Sequence, residues 1–424
     1  MKRKLSLFAA ILLVFSLILT ACGSKSTNSS SSKSGQGKLE IFSWWTAGGE
    51  ADGLKALIKV FQNKYPDIKV QNAAVAGGAG TNAKAVLATR MQGNDPPSTF
   101  QVHGGAELMT WVNSGKMQPL NDLYKKNGWE NKFPKDLMDM VSKDGKIYAI
   151  PVDIHRGNVL WYNKKIFEEN HLQPPKTFDD FFKVADKLKA KGITPLGLAD
   201  KEIWPATMIF ENILLAELGP DKYKELWTGK IPFDSPKVKE SAEIFKKMLG
   251  YINDDHSSRA WQDGSQLVAD GKAAMNIMGD FAKGYYESLK LKPNKDYGWV
   301  ASPGTEGDFM VITDTFGLPK GVKDPGDVKK FLTVLGSVEG QDAFNPKKGS
   351  IPARVDADQS KYDVYGKAAM KDFKKDALTP SLAHGSAAPE SYLTKVNQAV
   401  NVFVTQKNVD QFIKSLKDAS KDLK

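Results

Sequence analysis

The stretch Lys38–Glu50, KLEIFSWWTAGGE, decides how this chain is read. Leu39 to Ser43 predicts a short strand, with Leu39 and Ile41 on one face. Two adjacent indoles follow, Trp44 and Trp45, and then a small-residue turn, Thr46-Ala47-Gly48-Gly49. Beyond Glu50, Leu54, Leu57, Ile58 and Phe61 recur at helical spacing. The junction from strand end to helix start therefore carries two indoles and a carboxylate. In open α/β sheets, ligands bind beyond the carboxyl ends of the strands, and helix N-termini there offer free N–H donors. A flat apolar face beside a carboxylate suits a sugar ring, with its apolar C–H faces and polar rim. Adjacent strand residues point to opposite faces, so both indoles enter one core only if the strand has already ended.

Upstream of this stretch the chain reads as a targeting segment. Lys2, Arg3 and Lys4 form a positive start, and Leu5 to Leu19 an apolar run. The run is shorter than the roughly 20 apolar residues of a membrane span. It ends Leu19-Thr20-Ala21-Cys22, which resembles a bacterial lipobox. That resemblance implies a signal peptide over 1–21, cleavage before Cys22 and a lipid on its sulfur. Cys22 is the only cysteine, so an intrachain disulfide and a CxxC metal site are excluded. Residues 22–37 are rich in Ser and Gly and predict a flexible tether.

The 424 residues are enough for two lobes. The net charge of +10 is spread over scattered lysines with no run of five or six basic residues. Nucleic-acid binding is therefore poorly supported, whereas a mildly basic body suits an anionic membrane surface. Downstream, strands over Ile68–Val75 and Thr99–His103 alternate with a helix over Asn82–Met91. Such βαβ units imply a parallel sheet covered by helices. A crossover is expected at Ile147–Asp153 (IYAIPVD), followed by a strand over Asn158–Asn163. The middle is mostly helical, with Thr177 as an N-cap. Phe309–Leu318 reads as a returning strand and Ser350–Arg354 as another hinge crossing.

Several of these pieces together resemble the lipid-anchored solute-binding proteins of ABC sugar importers, in the maltose-binding-like group. They are the lipobox and tether, WWTAGGE, FQNKYPDIKV, YAIPVD, ADGKAAMNIMGD, TDTFGLPKG and KKGSIPAR. The segments AVAGGAGTNAKAVLATRMQGNDPPSTFQVHGG and SLAHGSAAPE are similar to those of glucose-type monosaccharide binders. The resemblance implies a periplasmic-binding-protein-like α/β fold of two lobes joined by about three hinge strands, with the ligand cleft between them. The expected lobes are 38–150 plus 303–348, and 151–302 plus 349–424. It implies a monosaccharide ligand, closure on binding and delivery to membrane permease subunits. A monomer on the outer face of the cytoplasmic membrane is expected, without cofactor, metal or catalysis.

By resemblance, the sugar contacts fall on Trp44, Trp45, Glu50, Gln101, His103, Trp261, Asp314, Lys348 and His384. The three tryptophans would stack on or flank the pyranose; Trp204 is expected in the core. Glu50 and Asp314 would accept charge-assisted hydrogen bonds from hydroxyls. Gln101 and His103 lie two apart at a strand end and share a face. His384 has small neighbours that allow close approach, and Lys348 precedes Gly349.

Two rival readings have thin support. Gly78-x-Gly80-x-x-Ala83 mimics a dinucleotide fingerprint but follows the second strand, not the first. Glu50 and Asp314 could nominally form a glycosidase pair, yet Trp and neutral or basic polar groups dominate the site. Neither GxSxG nor HExxH occurs. A disaccharide or oligosaccharide ligand remains open, because cleft length is not written in these motifs.

Overall fold

The computed structural model describes residues 38–423. The signal peptide, Cys22 and the Ser-rich tether lie outside the described residues. Strand Lys38–Ser43 pairs in parallel with Lys69–Ala74 on one side and Thr99–His103 on the other. Helices Gly48–Lys64 and Thr81–Gln92 make the crossovers, as the alternating pattern predicts. Leu54, Leu57 and Phe61 bury one face of the first helix, and the Phe61 ring meets Phe331 edge-on at 5.5 Å.

The first sheet is mixed instead of wholly parallel. Asp314–Pro319 runs antiparallel to Thr99–His103, and Ala149–Pro151 antiparallel to it in turn. The cause is topological: a strand that enters from the other lobe needs no crossover helix and can arrive in either direction.

The second lobe holds two four-stranded sheets. One runs Thr194–Leu196, Ala273–Ile277, Val159–Asn163, Tyr297–Ala301. The other runs Ile351–Pro352, Asp153–Arg156, Asp308–Ile312, Ala377–Pro380. The strand expected over Phe309–Leu318 is thus two strands, and the chain changes sheet at Thr313, past the boundary expected at 303. The Thr313 hydroxyl donates to the carbonyl of Asp153 at 2.6 Å, which ties two crossings together.

The crossings lie at Val152, Thr313 and Ser350. Val152 N–H donates to Asp314 O at 3.0 Å, and Asp314 N–H to the Asp153 carboxylate at 2.7 Å. Asn345 Nδ2 donates to Val152 O at 3.0 Å and Ser350 Oγ to Asn345 Oδ1 at 2.6 Å. These bonds pair most of the buried polar groups of the hinge, while Oδ2 of Asp153 has no hydrogen-bond partner among the described residues.

The helices of the second lobe follow their sequence signals. Thr177 caps helix Phe178–Lys189, its hydroxyl accepting from Asp180 N–H at 3.1 Å. The long segment Trp204–Leu226 begins with Pro205 in its first turn. It breaks at Gly219, whose φ of 73° lies in the left-handed region, and Pro220 follows. The C-terminal helices Glu390–Gln406 and Val409–Ala419 close the lobe, with Phe403 and Phe412 stacked at 4.4 Å. No helix of the described residues is long and apolar enough to cross a membrane.

Candidate functional site

The parallel strands end where the hinge begins. Ser43 leads into Trp44, and His103 ends its strand opposite Asp314 in the register. Helix Gly48–Lys64 starts beside them with Glu50 in its first turn, where the helix dipole favours a negative charge. The second lobe brings Trp204, Trp261, Phe281 and His384 over this end of the sheet. A cavity lies between the lobes, with about 310 Å³ of unfilled space, of which the centre of a water molecule can reach only about 20 Å³. That is room for one or two waters.

Seven of the nine expected residues line the cavity: Trp44, Glu50, His103, Trp261, Asp314, Lys348 and His384. Trp45 and Gln101 do not. Trp45 is fully buried, its indole 4.9 Å from Phe344 and 5.6 Å from Phe316. The strand ends at Ser43, and past it Trp44 N–H is held by the Gln101 side chain while the second indole turns to the core. Gln101 acts one step back. Its Oε1 accepts from Trp44 N–H at 3.1 Å and its Nε2 donates to Asp314 Oδ1 at 2.6 Å. It fixes the indole and the carboxylate to each other.

Sequence reasoning missed His155 and Phe281, which line the cavity; Trp204, expected in the core, is buried there and lines the cavity too. A signal for His155 existed. Asp153 and His155 alternate in a strand that is buried throughout, so both point to one polar face. Trp204 is buried, its ring centre 5.3 Å from that of His384 and 6.4 Å from that of Trp261. The Gly78–Gly80 turn closes over these rings. A Cβ on Gly78 would meet Trp261 at 2.6 Å and Trp204 at 2.9 Å, and one on Gly80 would meet Trp44 at 2.9 Å. This explains the glycines that mimic a dinucleotide motif: they let backbone lie against indoles.

Charge in the cavity is organised by Lys348. Its Nζ donates to Glu50 Oε1 at 3.2 Å and to His155 Nε2 at 3.0 Å, and lies 3.8 Å from Asp314 Oδ2. Burial pushes the Asp314 carboxyl up, but the Lys348 ammonium and the hydrogen bond from Gln101 pull the other way, and the group sits below the usual range. Burial raises Glu50 above its usual value, Lys348 offsetting part of this. Asp153 is raised well above it by burial and the adjacent Asp314. Burial and Lys348 lower His155, leaving the ring neutral, with Nδ1–H donated to Asp280. Atoms of Asp153, His155 and Asp314 come within 4.8 Å of one another, a grouping no sequence spacing announced. The Lys348 ammonium already lies against His155 and Asp314 of this grouping.

His103 donates Nδ1–H to Glu107 at 2.7 Å, and Lys84 holds that carboxylate at 3.0 Å. The wall is thus aromatic on several sides, with fixed acceptors and one ammonium donor.

Comparison with known proteins fits this architecture. Residues 47–342 match the family model described as bacterial extracellular solute-binding protein. The chain belongs to that family. A relative in Pyrococcus horikoshii, an uncharacterized ABC transporter extracellular-binding protein, is 41% identical over 99% of this chain and 97% of its own. A probable sugar-binding periplasmic protein of Brucella suis is 34% identical over 91% of this chain and 90% of its own. Among solved structures, a bacterial solute receptor titled for its exclusive preference for β-D-galactopyranose aligns with a TM-score of 0.82. It is 20% identical, over 91% of this chain and 98% of that one, and speaks for the fold. As a solute-binding protein of ABC transport the chain is extracellular and not an enzyme, and its partners are a solute and a permease.

Proposed function

We propose that this solute-binding protein is a receptor for a glucose- or galactose-like monosaccharide, delivering it to an ABC importer permease by lobe closure. The carrying observation is the cavity itself. Indoles of Trp44, Trp204 and Trp261 and the Phe281 ring surround Glu50, Asp314, Lys348 and His384 in a space bordered by the Gly78–Gly80 turn. Apolar walls match the faces of a pyranose, and burial there contributes about 25 cal/mol per Å². Acceptors and the ammonium match its hydroxyl rim, and charge-assisted bonds are the strong ones. The reading places a lipid on Cys22, holds the body at the membrane as a monomer, and needs no cofactor or metal. It divides the lobes at the three crossings.

The lobes are closed, and the cavity as it stands has room for one or two waters and not for a hexose. Ligand entry therefore requires opening, and closing is what the permease would sense. Calorimetry with glucose, galactose, mannose, xylose and maltose tests the reading. One hexose should bind with a 1:1 stoichiometry, and silence from the whole panel would defeat it.

A second reading, an oligosaccharide, has one observation in its favour. A further pocket, with about 280 Å³ open to the centres of water molecules, adjoins the cavity past Ala79 and Trp204. It is lined by Thr394, Asn397 and Gln398 and could take a second ring. Maltose binding more tightly than glucose would favour it.

A further inference from the structure

Glu211 is wholly buried in helix Trp204–Leu226, yet it does not line the cavity. Its Oε2 accepts from the backbone N–H groups of Leu382 and Ala383, at 2.5 and 3.0 Å. Its Oε1 accepts from the Ser381 hydroxyl at 2.9 Å. Tyr223 adds a long contact to Oε2 at 3.4 Å. The carboxylate therefore holds the loop that carries His384.

The loop's hydrogen bonds have a direction. A hydroxyl has one proton, and Ser381 gives it to the carboxylate, which can only accept. The Ser381 oxygen can then only accept, and it faces His384 N–H at 3.2 Å and His384 Nδ1 at 3.1 Å. Nδ1 must carry the ring proton. Burial drives the imidazole well below its usual pKa, with His103 and Lys84 adding to the effect, so the ring is neutral. One proton on Nδ1 leaves Nε2 bare. Nε2 has no hydrogen-bond partner among the described residues, and the ring forms part of the cavity wall.

The geometry points to Glu211 as a positioning residue that, through Ser381, fixes His384 as a hydrogen-bond acceptor toward the ligand. The identity of that ligand rests on the sugar-receptor reading; the direction of the relay does not. With Glu50 and Asp314, the cavity then presents acceptors from both lobes, and Lys348 is the ammonium donor facing them. A solute rich in hydroxyl donors is what such a wall selects. A solute offering only acceptors, an ether or an aprotic carbonyl, meets a lone pair at His384.

Glu211→Gln isolates the relay. The two backbone N–H groups require an acceptor at the Oε2 position, so the amide NH₂ must occupy the Oε1 position and face Ser381. It donates to the hydroxyl, which turns its own proton to His384 Nδ1, and the ring proton moves to Nε2. The wall group changes from acceptor to donor with almost no change of shape. Long-range proton–nitrogen spectra distinguish a protonated from a bare ring nitrogen, and His384→Gln identifies the signals among the five histidines. At about pH 8.5, where Glu211 is the carboxylate, the expected result is Nδ1–H in the parent and Nε2–H in Glu211→Gln, with glucose or galactose binding weakened at least tenfold. Bare Nδ1 in the parent, or an unchanged tautomer in the variant, overturns the relay. A switched tautomer with unchanged affinity overturns its role in recognition. A parent spectrum as expected with no hexose bound leaves the relay standing and sinks the sugar reading instead. If Glu211→Gln does not fold, Ser381→Ala serves: it removes the acceptor from Nδ1–H, and Nε2–H should appear.

Discussion

Lys348 Nζ stands 3.0 Å from Nε2 of His155, a separation that two cations would not hold. The imidazole is therefore a neutral acceptor, and the ammonium is shared among a ring nitrogen and two carboxylates. Both Lys348 and Asp314 are buried beyond the reach of solvent. Removing one member of such a group leaves the rest uncompensated. Lys348→Met should destabilise the protein by about 3–5 kcal/mol, the usual cost of breaking a buried pair. Urea unfolding followed by fluorescence measures this. A loss under about 1 kcal/mol would mean the pair is effectively solvated.

The two neighbouring indoles should separate cleanly by mutation. Trp45 is core, against Phe316 and Phe344; Trp204 is wall. Trp45→Phe should lower stability while leaving sugar affinity within about threefold, a shift under 1 kcal/mol. Trp204→Ala should weaken binding at least tenfold. Covering roughly 80 Å² of a pyranose face at 25 cal/mol per Å² is about 2 kcal/mol. Calorimetry on the two variants decides it, and equal affinities would remove Trp204 from the wall.

Closure should depend on Gly78. Its backbone is not in the left-handed region, so alanine is conformationally acceptable there, but the added Cβ would sit 2.6 Å from Trp261 and 2.9 Å from Trp204. Both tryptophans belong to the opposite lobe. Gly78→Ala should therefore prop the cleft open without unfolding either lobe. Small-angle scattering with saturating ligand should show a larger radius of gyration than the parent. An identical radius and affinity would show that the turn yields.

Much of this was legible in the sequence because it obeys local rules. The strand at Leu39, the helix face of Leu54, Leu57 and Phe61, and the Thr177 cap each follow from periodicity or capping chemistry. The cavity wall is another matter. His155 and Trp204 reach it from elements far from Trp44 in sequence, and only the crossings at Val152 and Thr313 bring those elements together. No window of residues encodes that meeting. The split at Thr313 was hidden for a related reason: ITDTFG stays buried through the change of sheet, so no break in hydropathy marks it. Trp45 looked like a wall residue because its neighbour is one, and the turn of a single residue decides between them.

The acid side of the pH profile should carry opposite signs for stability and for binding. Burial raises Glu211 from 4.5 to about 7, and the N–H groups of Ala383 and Leu382 and the Ser381 hydroxyl only partly offset this. Tyr223 is the titratable group touching it, and His384 the next, through Ser381. A raised carboxyl means that the folded state binds more protons than the unfolded between those values. Stability therefore falls as pH rises through that window, by on the order of 3 kcal/mol for this group. Asp153 pushes the same way. Binding should run the other way. Protonated Glu211 carries its proton toward Ser381 just as the amide of Glu211→Gln does, so affinity should rise with pH through about 7. Glu211→Gln should flatten both slopes near neutrality. Unfolding midpoints and calorimetric affinities between about pH 5 and 8.5, for parent and variant, test it. Parallel slopes in the two proteins would show that Glu211 does not titrate in this range.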